Sequence, residues 1–292
     1  MVVGGANLDV LAHSSRPVVP ATSNPGTTTL APGGVGRNIA EVLARLGTPT
    51  ALVAAVGADA FGDRVLEATA AAGVDTSGVR RMAERTGTYT AVLDADGELV
   101  AAVADMAATE QLAPADIDAA EGVIASARLV VLDGNLAAAT LARTADLAQA
   151  AGVRVVVEPV SVPKARLIAP LFRADRPVFL ATPNADELAA LGGLAELHQR
   201  GAECVWVRHG PQGSMLSSGA GSTTIPAVPV AEVLDVTGAG DAMLAGFCHA
   251  LLAGAEPAEA AAYGHAAAAL TVASPHTVRP DLTDALVRSL LP

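Results

Sequence analysis

Residues 235 to 241 combine glycines and carboxylates at a spacing that can hold an anion beside a base. Their sequence is Asp-Val-Thr-Gly-Ala-Gly-Asp, and the apolar positions that follow recur on one helical face. Gly238 to Asp241 are therefore predicted to begin a helix, where backbone N–H groups lack intrahelical partners and the dipole favours negative charge. The Asp241 carboxylate could then accept a proton from a hydroxyl group attacking a bound phosphoryl group. A glycine-rich helix start with an ordinary acidic first turn is the alternative interpretation.

A second glycine-rich run, residues 33 to 36, precedes a helix that we expect to begin near Ile39. Gly33 and Gly34 would let the backbone approach a ligand without a Cβ in the way. Asn38 offers both a donor and an acceptor to ligand hydroxyl groups. The run is therefore predicted to bind a polar small molecule.

Asn7 and Asp9 follow the first predicted strand, at the end of the sheet where open α/β folds bind ligands. They are predicted to bind the same ligand, with a simple turn-forming role as the alternative. The nearby glycines do not give the G-x-G-x-x-G spacing after a strand, so a dinucleotide-binding oxidoreductase fits poorly.

The elements that position these residues alternate along the chain, with short β-branched runs separated by amphipathic helices. This order predicts an α/β fold with a mostly parallel sheet covered by helices on both faces. The predicted buried strands are 52–56, 129–132, 153–157, 178–180 and 205–207. Two segments, about 8–32 and 87–105, break the rhythm, and the second alternates like a hairpin. Together they are predicted to form a small sheet that acts as a lid on a single domain of residues 1–292.

Composition favours a protein that handles small molecules. The net charge is −12 and no cluster of Lys and Arg is present, which argues against nucleic acid. Residues 260–278 are apolar but alanine-rich, so they predict a buried helix and a loop rather than a membrane span. The absence of a basic segment followed by a long apolar run, and two cysteines without metal-ligand spacing, lead us to expect a cytoplasmic protein.

Residues 235–241 and 33–38 together resemble the two signatures of the PfkB carbohydrate kinases, and the resemblance covers nearly the whole chain. It implies a ribokinase-like three-layer α/β/α fold and ATP as phosphoryl donor. It also implies that Asp241 is the general base and that Asp9 binds sugar hydroxyl groups. The implied anion hole is the backbone of Gly238, Ala239 and Gly240. A monovalent cation, K⁺, is implied near Asp235 and Thr237.

The nucleotide side is implied by two further motifs. Asn184 and Glu187 match the family's Asn-x-x-Glu, in which the glutamate organises Mg²⁺ through water. The same pair would also make a capping box, and both roles are compatible. The nucleotide loop is expected to comprise Arg208, Gly210 and Gly213, and His265 is either a wall of the adenine pocket or a core histidine. No Walker A or protein-kinase signature is present.

Within the family, the chain resembles the pseudouridine kinases, which implies a nucleoside acceptor phosphorylated on its 5′-hydroxyl group. Asn24 and Lys164 then become candidate readers of the base, with a lid turn and a solvated helix lysine as their alternatives. Two positions depart from the pattern: Glu158, where relatives usually carry Asp, and Ala107, where an asparagine is expected.

The sequence is also compatible with two other functions and with a dimer. The acceptor could be that of a ribokinase-, fructokinase- or adenosine-kinase-like enzyme. The chain could instead be a non-catalytic nucleoside-binding protein on the same fold. Exposed strands in the lid also suggest homodimerisation by edge pairing.

Overall fold

A computed structural model describes residues 1–291. The strands, in chain order, are β1 (Val2–Val3), β2 (Asn7–Ser14), β3 (Gly26–Gly33), β4 (Leu52–Val53), β5 (Ala55–Gly57), β6 (Arg80–Met82), β7 (Gly87–Leu93), β8 (Leu99–Asp105), β9 (Leu129–Asp133), β10 (Arg154–Glu158), β11 (Val178–Ala181), β12 (Ala202–Arg208), β13 (Ser214–Ser218) and β14 (Gly221–Ile225).

The helices are α1 (Val35–Arg45), α2 (Ala60–Ala71), α3 (Ala107–Glu110), α4 (Pro114–Asp118), α5 (Glu121–Ser126), α6 (Ala138–Ala150), α7 (Val162–Ile168), α8 (Ala185–Ala190), α9 (Leu194–Gln199), α10 (Ala239–Leu252), α11 (Pro257–Val272) and α12 (Asp284–Arg288).

The main sheet has eight strands in the order β14-β13-β12-β11-β10-β9-β1-β4. The six strands from β12 to β4 are parallel, and β13 and β14 add an antiparallel edge. Successive residues of the central strands serve opposite faces: Val131 packs with the helices α1, α10 and α11, whereas Val130 and Leu132 pack on the other face. This alternation gives a core on each side of the sheet, and the predicted three-layer fold is confirmed.

The predicted strands are confirmed, with the first one divided at Ala54 into β4 and β5. One boundary was wrong: α1 begins at Val35 rather than near Ile39. Its N-cap is Gly34 at φ 98°, and no side chain caps it, so the usual Ser, Thr or Asp signal for a helix start is missing. Asn38 therefore lies inside the first turn of the helix.

The small sheet has the order β3-β2-β7-β8. β2 follows β1 after the three residues 4–6, and β3 leads directly into α1, so the small sheet is attached beside the carboxyl ends of the main strands. The hairpin predicted from the alternation in the second segment is present as β7 and β8. The movement of this sheet as a lid stays a prediction.

The apolar segment after residue 256 forms α11, which is buried along most of its length and ends at Val272. A loop follows, as predicted. Within residues 1–291 no helix is both long enough and apolar enough to span a bilayer.

Candidate active site

The start of α10 leaves several backbone donors free. Gly238 is its N-cap at φ 76°, a left-handed conformation that suits glycine, and an added Cβ would overlap the carbonyl oxygen of Thr277. The N–H of Ala239 donates to the carbonyl of Val236 at 3.2 Å. The N–H groups of Gly238, Gly240 and Asp241 have no acceptor within residues 1–291. The predicted helix start is present, and its free donors form a cradle suited to an anion.

Asp241 lies in the first turn of α10 and is held by the first turn of α1. The amide Nδ2 of Asn38 donates to Asp241 Oδ2 at 2.8 Å. Burial raises the pKa of Asp241 to about 7, and the nearby Glu158 acts in the same direction, while Asn38 and Arg208 oppose the shift. The two helix N-termini therefore meet at a carboxyl group whose pKa is near neutral.

Two cavities meet at this carboxyl group. The larger cavity, about 810 Å³, extends over the start of α10 toward β12, and the smaller cavity, about 630 Å³, extends toward the small sheet. Both volumes suit a small organic ligand. Only three residues line both cavities, among residues 1–291: Val35, Val160 and Asp241. Asp241 thus faces two ligand-sized spaces at once.

The smaller cavity gathers most of the residues predicted to bind the acceptor. Its polar lining includes Asn7, Asp9, Gly34, Asn38, Lys164 and Thr237. Asn7 Nδ2 donates to Asp9 Oδ1 at 2.7 Å, which orients the carboxylate, and burial raises the pKa of Asp9. Lys164 is the only lysine in the chain, and it lies on α7 at the wall of this cavity.

The larger cavity contains a guanidinium group between two carboxylates. Arg208 Nη2 lies 2.6 Å from Glu158 Oε1 and 3.7 Å from Glu187 Oε2. Burial alone would lower the pKa of Arg208, but these carboxylates and Asp241 outweigh it and raise the pKa. Arg208 Nη1 would be 3.0 Å from a Cβ added to Gly240, so a fixed positive charge borders the cradle.

Glu187 and Asn184 form the predicted capping box at the start of α8. Glu187 N–H donates to Asn184 Oδ1 and Asn184 N–H donates to Glu187 Oε2, both at 2.9 Å. Glu187 is 2% exposed yet lines the larger cavity, and its Oε1 has no hydrogen-bond donor within the described chain. Burial raises its pKa. The capping role therefore leaves one oxygen for a ligand.

His265 also lines the larger cavity, but its imidazole is bound to the core. Its Nε2 lies 2.7 Å from Ser214 Oγ, which in turn accepts a hydrogen bond from Trp206 Nε1 at 2.8 Å. Burial lowers the pKa of His265 to about 4, so the ring is neutral at pH 7. The core interpretation of this histidine is therefore supported, and its role as a wall of an adenine pocket stays a prediction.

Four predicted residues line neither cavity. Asn24 is exposed and its amide is bound to the backbone of Val19 and Thr22, which matches the turn interpretation. Asp235 accepts the N–H of Thr237 at 2.8 Å. Gly33 makes room for the carboxylate of Asp9, and Gly213 for the backbone of residues 225–227. Of the two glycines predicted for the nucleotide loop, Gly210 lines the larger cavity and Gly213 does not.

Sequence reasoning assigned no role to Asp133, whose carboxylate joins three segments of the site. This fully buried carboxylate accepts the N–H groups of Gly5, Gly36 and Asn135, and the Asn135 amide, at 2.8 to 2.9 Å. Burial raises its pKa despite these donors. Asn135 itself lines the smaller cavity. The signal available was an Asp-x-Asn sequence at the carboxyl end of a buried strand.

Comparisons with known proteins agree with this architecture. Residues 1–284 match the family described as pfkB family carbohydrate kinase. Pseudouridine kinase from Escherichia coli K12 is 32% identical over 304 residues, covering 100% of this chain and 96% of the relative. A carbohydrate kinase structure from Agrobacterium tumefaciens has a TM-score of 0.89 at 33% identity, with 99% and 95% of the two chains covered. Arabidopsis thaliana ribokinase, complexed with ribose and ATP, has a TM-score of 0.85 at 26% identity, with 99% and 97% covered.

The main sheet with helices on both faces, and a small second sheet beside it, is the fold of the ribokinase-like kinases. The chain belongs to the pfkB family of carbohydrate kinases.

Proposed function

We propose that this kinase transfers the γ-phosphoryl group of ATP to a hydroxyl group of pseudouridine, with Asp241 as the general base. The observation that carries the proposal is the position of Asp241 between two ligand-sized cavities, at a helix start with free N–H groups. A nucleotide in one cavity and an acceptor in the other would place the two reacting groups on either side of the cradle.

The acceptor is assigned to the smaller cavity. Asp9 and Asn7 would bind ribose hydroxyl groups, and Lys164, a donor without acceptor capacity, suits a carbonyl oxygen of the base. A C-linked uracil carries two such carbonyls. Full-length similarity to an enzyme named pseudouridine kinase supports this choice over a simple sugar.

ATP is assigned to the larger cavity. Arg208 borders the cradle there, while Gly210 and the neutral His265 line the walls on which the rest of the nucleotide would lie. The Arabidopsis ribokinase that shares the fold is described as a complex with ribose and ATP.

Mg²⁺ fits the residues present in this cavity. Within residues 1–291 no group of three His, Cys, Asp or Glu side chains could hold a metal by itself, but Glu187 lines the cavity and its capping hydrogen bond occupies only Oε2. An ion that keeps its waters and binds phosphate oxygens needs only such a carboxylate. When bound, Mg²⁺ would neutralise charge on the phosphate oxygens. A K⁺ ion near Asp235 and Thr237 stays a prediction.

The chain's own groups then account for the transfer. Asn38 orients the Asp241 carboxylate, and that carboxylate accepts the proton of the acceptor hydroxyl group. The free N–H groups of Gly240 and Asp241 and the Arg208 guanidinium stabilise charge on the transferring group. Positioning and charge stabilisation are the main requirements of phosphoryl transfer.

The test is ADP release measured with pseudouridine, uridine, adenosine, ribose and fructose as acceptors. We expect turnover with pseudouridine. In Asp241→Asn the rate of ADP release should fall on the order of 10²–10⁴-fold, because the variant has lost the general base. Asp281→Asn, which removes an exposed carboxylate paired with Arg279, is the matched control and should keep wild-type turnover.

Three outcomes separate the candidate functions. Turnover of ribose, fructose or adenosine without pseudouridine would assign another acceptor to the same site. Binding of nucleosides without turnover of any acceptor would identify a non-catalytic binding protein. Equal turnover by Asp241→Asn and wild type would overturn the assignment of the base.

A further inference from the structure

Val160 has a backbone conformation that a β-branched residue rarely adopts. Its φ is 71°, and Ala21, at φ 61°, is the only other non-glycine residue with positive φ among residues 1–291. Such a conformation costs on the order of 1–3 kcal/mol, whereas glycine adopts it readily. The strain is held locally, since Val160 N–H donates to Glu158 Oε1 at 3.2 Å. Glycine at this position would relieve the strain, so the question is what the valine side chain contributes.

The position of Val160 indicates that role. Val160 and Val35, the first residue of α1, are the two apolar residues that line both cavities, and Asp241 is the third shared residue. Ala21, by contrast, lies in the exposed loop between β2 and β3 and lines neither cavity. The strained valine is therefore located where the two ligands would meet.

A kinase must favour an alcohol over water at this point. In both reactions an oxygen forms a bond to the γ-phosphorus, the bond from that phosphorus to the β,γ-bridging oxygen breaks, and ADP leaves. The hydroxyl proton passes to Asp241 in either case. Since the base and the cradle serve both nucleophiles equally, selection requires that water be kept out of the junction.

We infer that Val160, together with Val35, forms an apolar partition beside Asp241 at the junction of the two cavities, which excludes water while the acceptor hydroxyl group reaches the γ-phosphoryl group, and so makes transfer to the acceptor outcompete hydrolysis of ATP. Val160 is thus a specificity-determining residue for the acceptor alcohol against water. The inference rests on the proposed kinase function.

The test compares Val160→Gly and Val160→Ala with Ala21→Gly as matched control. The quantity measured is ATP hydrolysis without acceptor divided by ATP-dependent phosphorylation of the acceptor. We expect at least a tenfold rise of this ratio in Val160→Gly, a smaller rise in Val160→Ala, and no change in Ala21→Gly. Both glycine variants relieve positive-φ strain, so their thermal unfolding midpoints should equal or exceed that of the wild type.

The outcomes distinguish this inference from the function beneath it. If the wild type phosphorylates no nucleoside or sugar, the proposed function fails. If the wild type phosphorylates an acceptor and folded Val160→Gly keeps the wild-type ratio, the partition is wrong while the function stands. Should Val160→Gly fold poorly, which would contradict the strain argument, Val160→Ala still decides the partition through the same ratio.

Discussion

Asp241 derives its properties from opposing neighbours. Burial and the nearby Glu158 favour its protonated form, whereas Asn38 and Arg208 favour the carboxylate, and the balance places its pKa at about 7. A base with a pKa near the working pH combines a useful deprotonated fraction with good proton affinity. The same burial that makes the carboxylate a better base therefore makes its charge costly for the folded state.

We expect the acceptor kcat/KM to depend on pH through this group. It should fall about tenfold per unit below pH 7 and level off above it, because only the carboxylate accepts the proton. A pH series of initial rates at saturating ATP measures this. A flat profile from pH 5 to 8 would contradict the role of Asp241.

The contribution of Asp241 to folding stability should change with pH in the opposite direction from the activity. The pKa of Asp241 is raised on folding from 3.8 to about 7, so the folded state retains a proton that the unfolded state has released between these values. Its contribution to stability is therefore present below about pH 4 and is lost as pH rises toward 7. Asp241→Asn has no carboxyl group to titrate and should not lose this stability. The unfolding free energy of the variant minus that of the wild type should therefore increase from pH 4 to pH 7 in denaturant titrations.

At the residue scale, motifs identified many of the residues that line the two cavities. Among them are Asp241, Asn38, Asp9 and Glu187, whose binding and catalytic roles stay predictions. Asn24 lines neither cavity, because an asparagine before a proline satisfies its own loop equally well. The conformation of Val160 could not be predicted, since valine is among the least expected residues at positive φ.

At the element scale, the site depends on two helices that begin without side-chain caps. Both α1 and α10 have glycine N-caps with positive φ, at Gly34 and Gly238. The strands were predictable because β-branched runs buried on both faces have few other solutions. The start of α1 was not predictable, because a glycine N-cap followed by valine gives no polar capping signal. The tertiary contacts of Gly34 determine where this helix begins.

Gly238→Ala should therefore damage the cradle through the helix start. A left-handed alanine costs on the order of 1 kcal/mol, and its Cβ would overlap the Thr277 carbonyl oxygen, so we expect a loss of roughly 1–3 kcal/mol in unfolding free energy. Transfer activity should fall more than tenfold. Denaturant unfolding and ADP release measure the two effects.

Gly122→Ala is the control for this substitution. Gly122 lies within α5, has ordinary helical φ and no atom within 4 Å of an added Cβ, so alanine should be neutral or stabilising there. Equal behaviour of the two variants would show that the left-handed start of α10 is dispensable.

At the scale of the whole molecule, the edge strand β8 of the small sheet is uncovered along its full length. Every residue of β8 is exposed, and Val103 is 68% exposed. An exposed apolar edge strand invites pairing with another chain. We therefore retain the prediction of a homodimer formed through this sheet.

Light scattering at micromolar concentration tests the prediction of a homodimer. We expect twice the chain mass for the wild type and the mass of one chain for Val103→Lys, because a lysine discourages edge pairing. Val123→Lys, on α5 away from the small sheet, should leave the assembly unchanged. A wild type with the mass of one chain would exclude the dimer.

The Asn38–Asp241 hydrogen bond joins residues 203 positions apart, and the strands β9 to β14 follow one another in chain order across the sheet. At typical elongation rates, Asp241 would therefore be synthesised about 10–40 s after Asn38. A nascent chain that ends before α10 already has the glycine run at α1 and all six parallel strands of the main sheet. It lacks the proposed base and the cradle, so we expect no phosphoryl transfer until residues 238–241 have been synthesised.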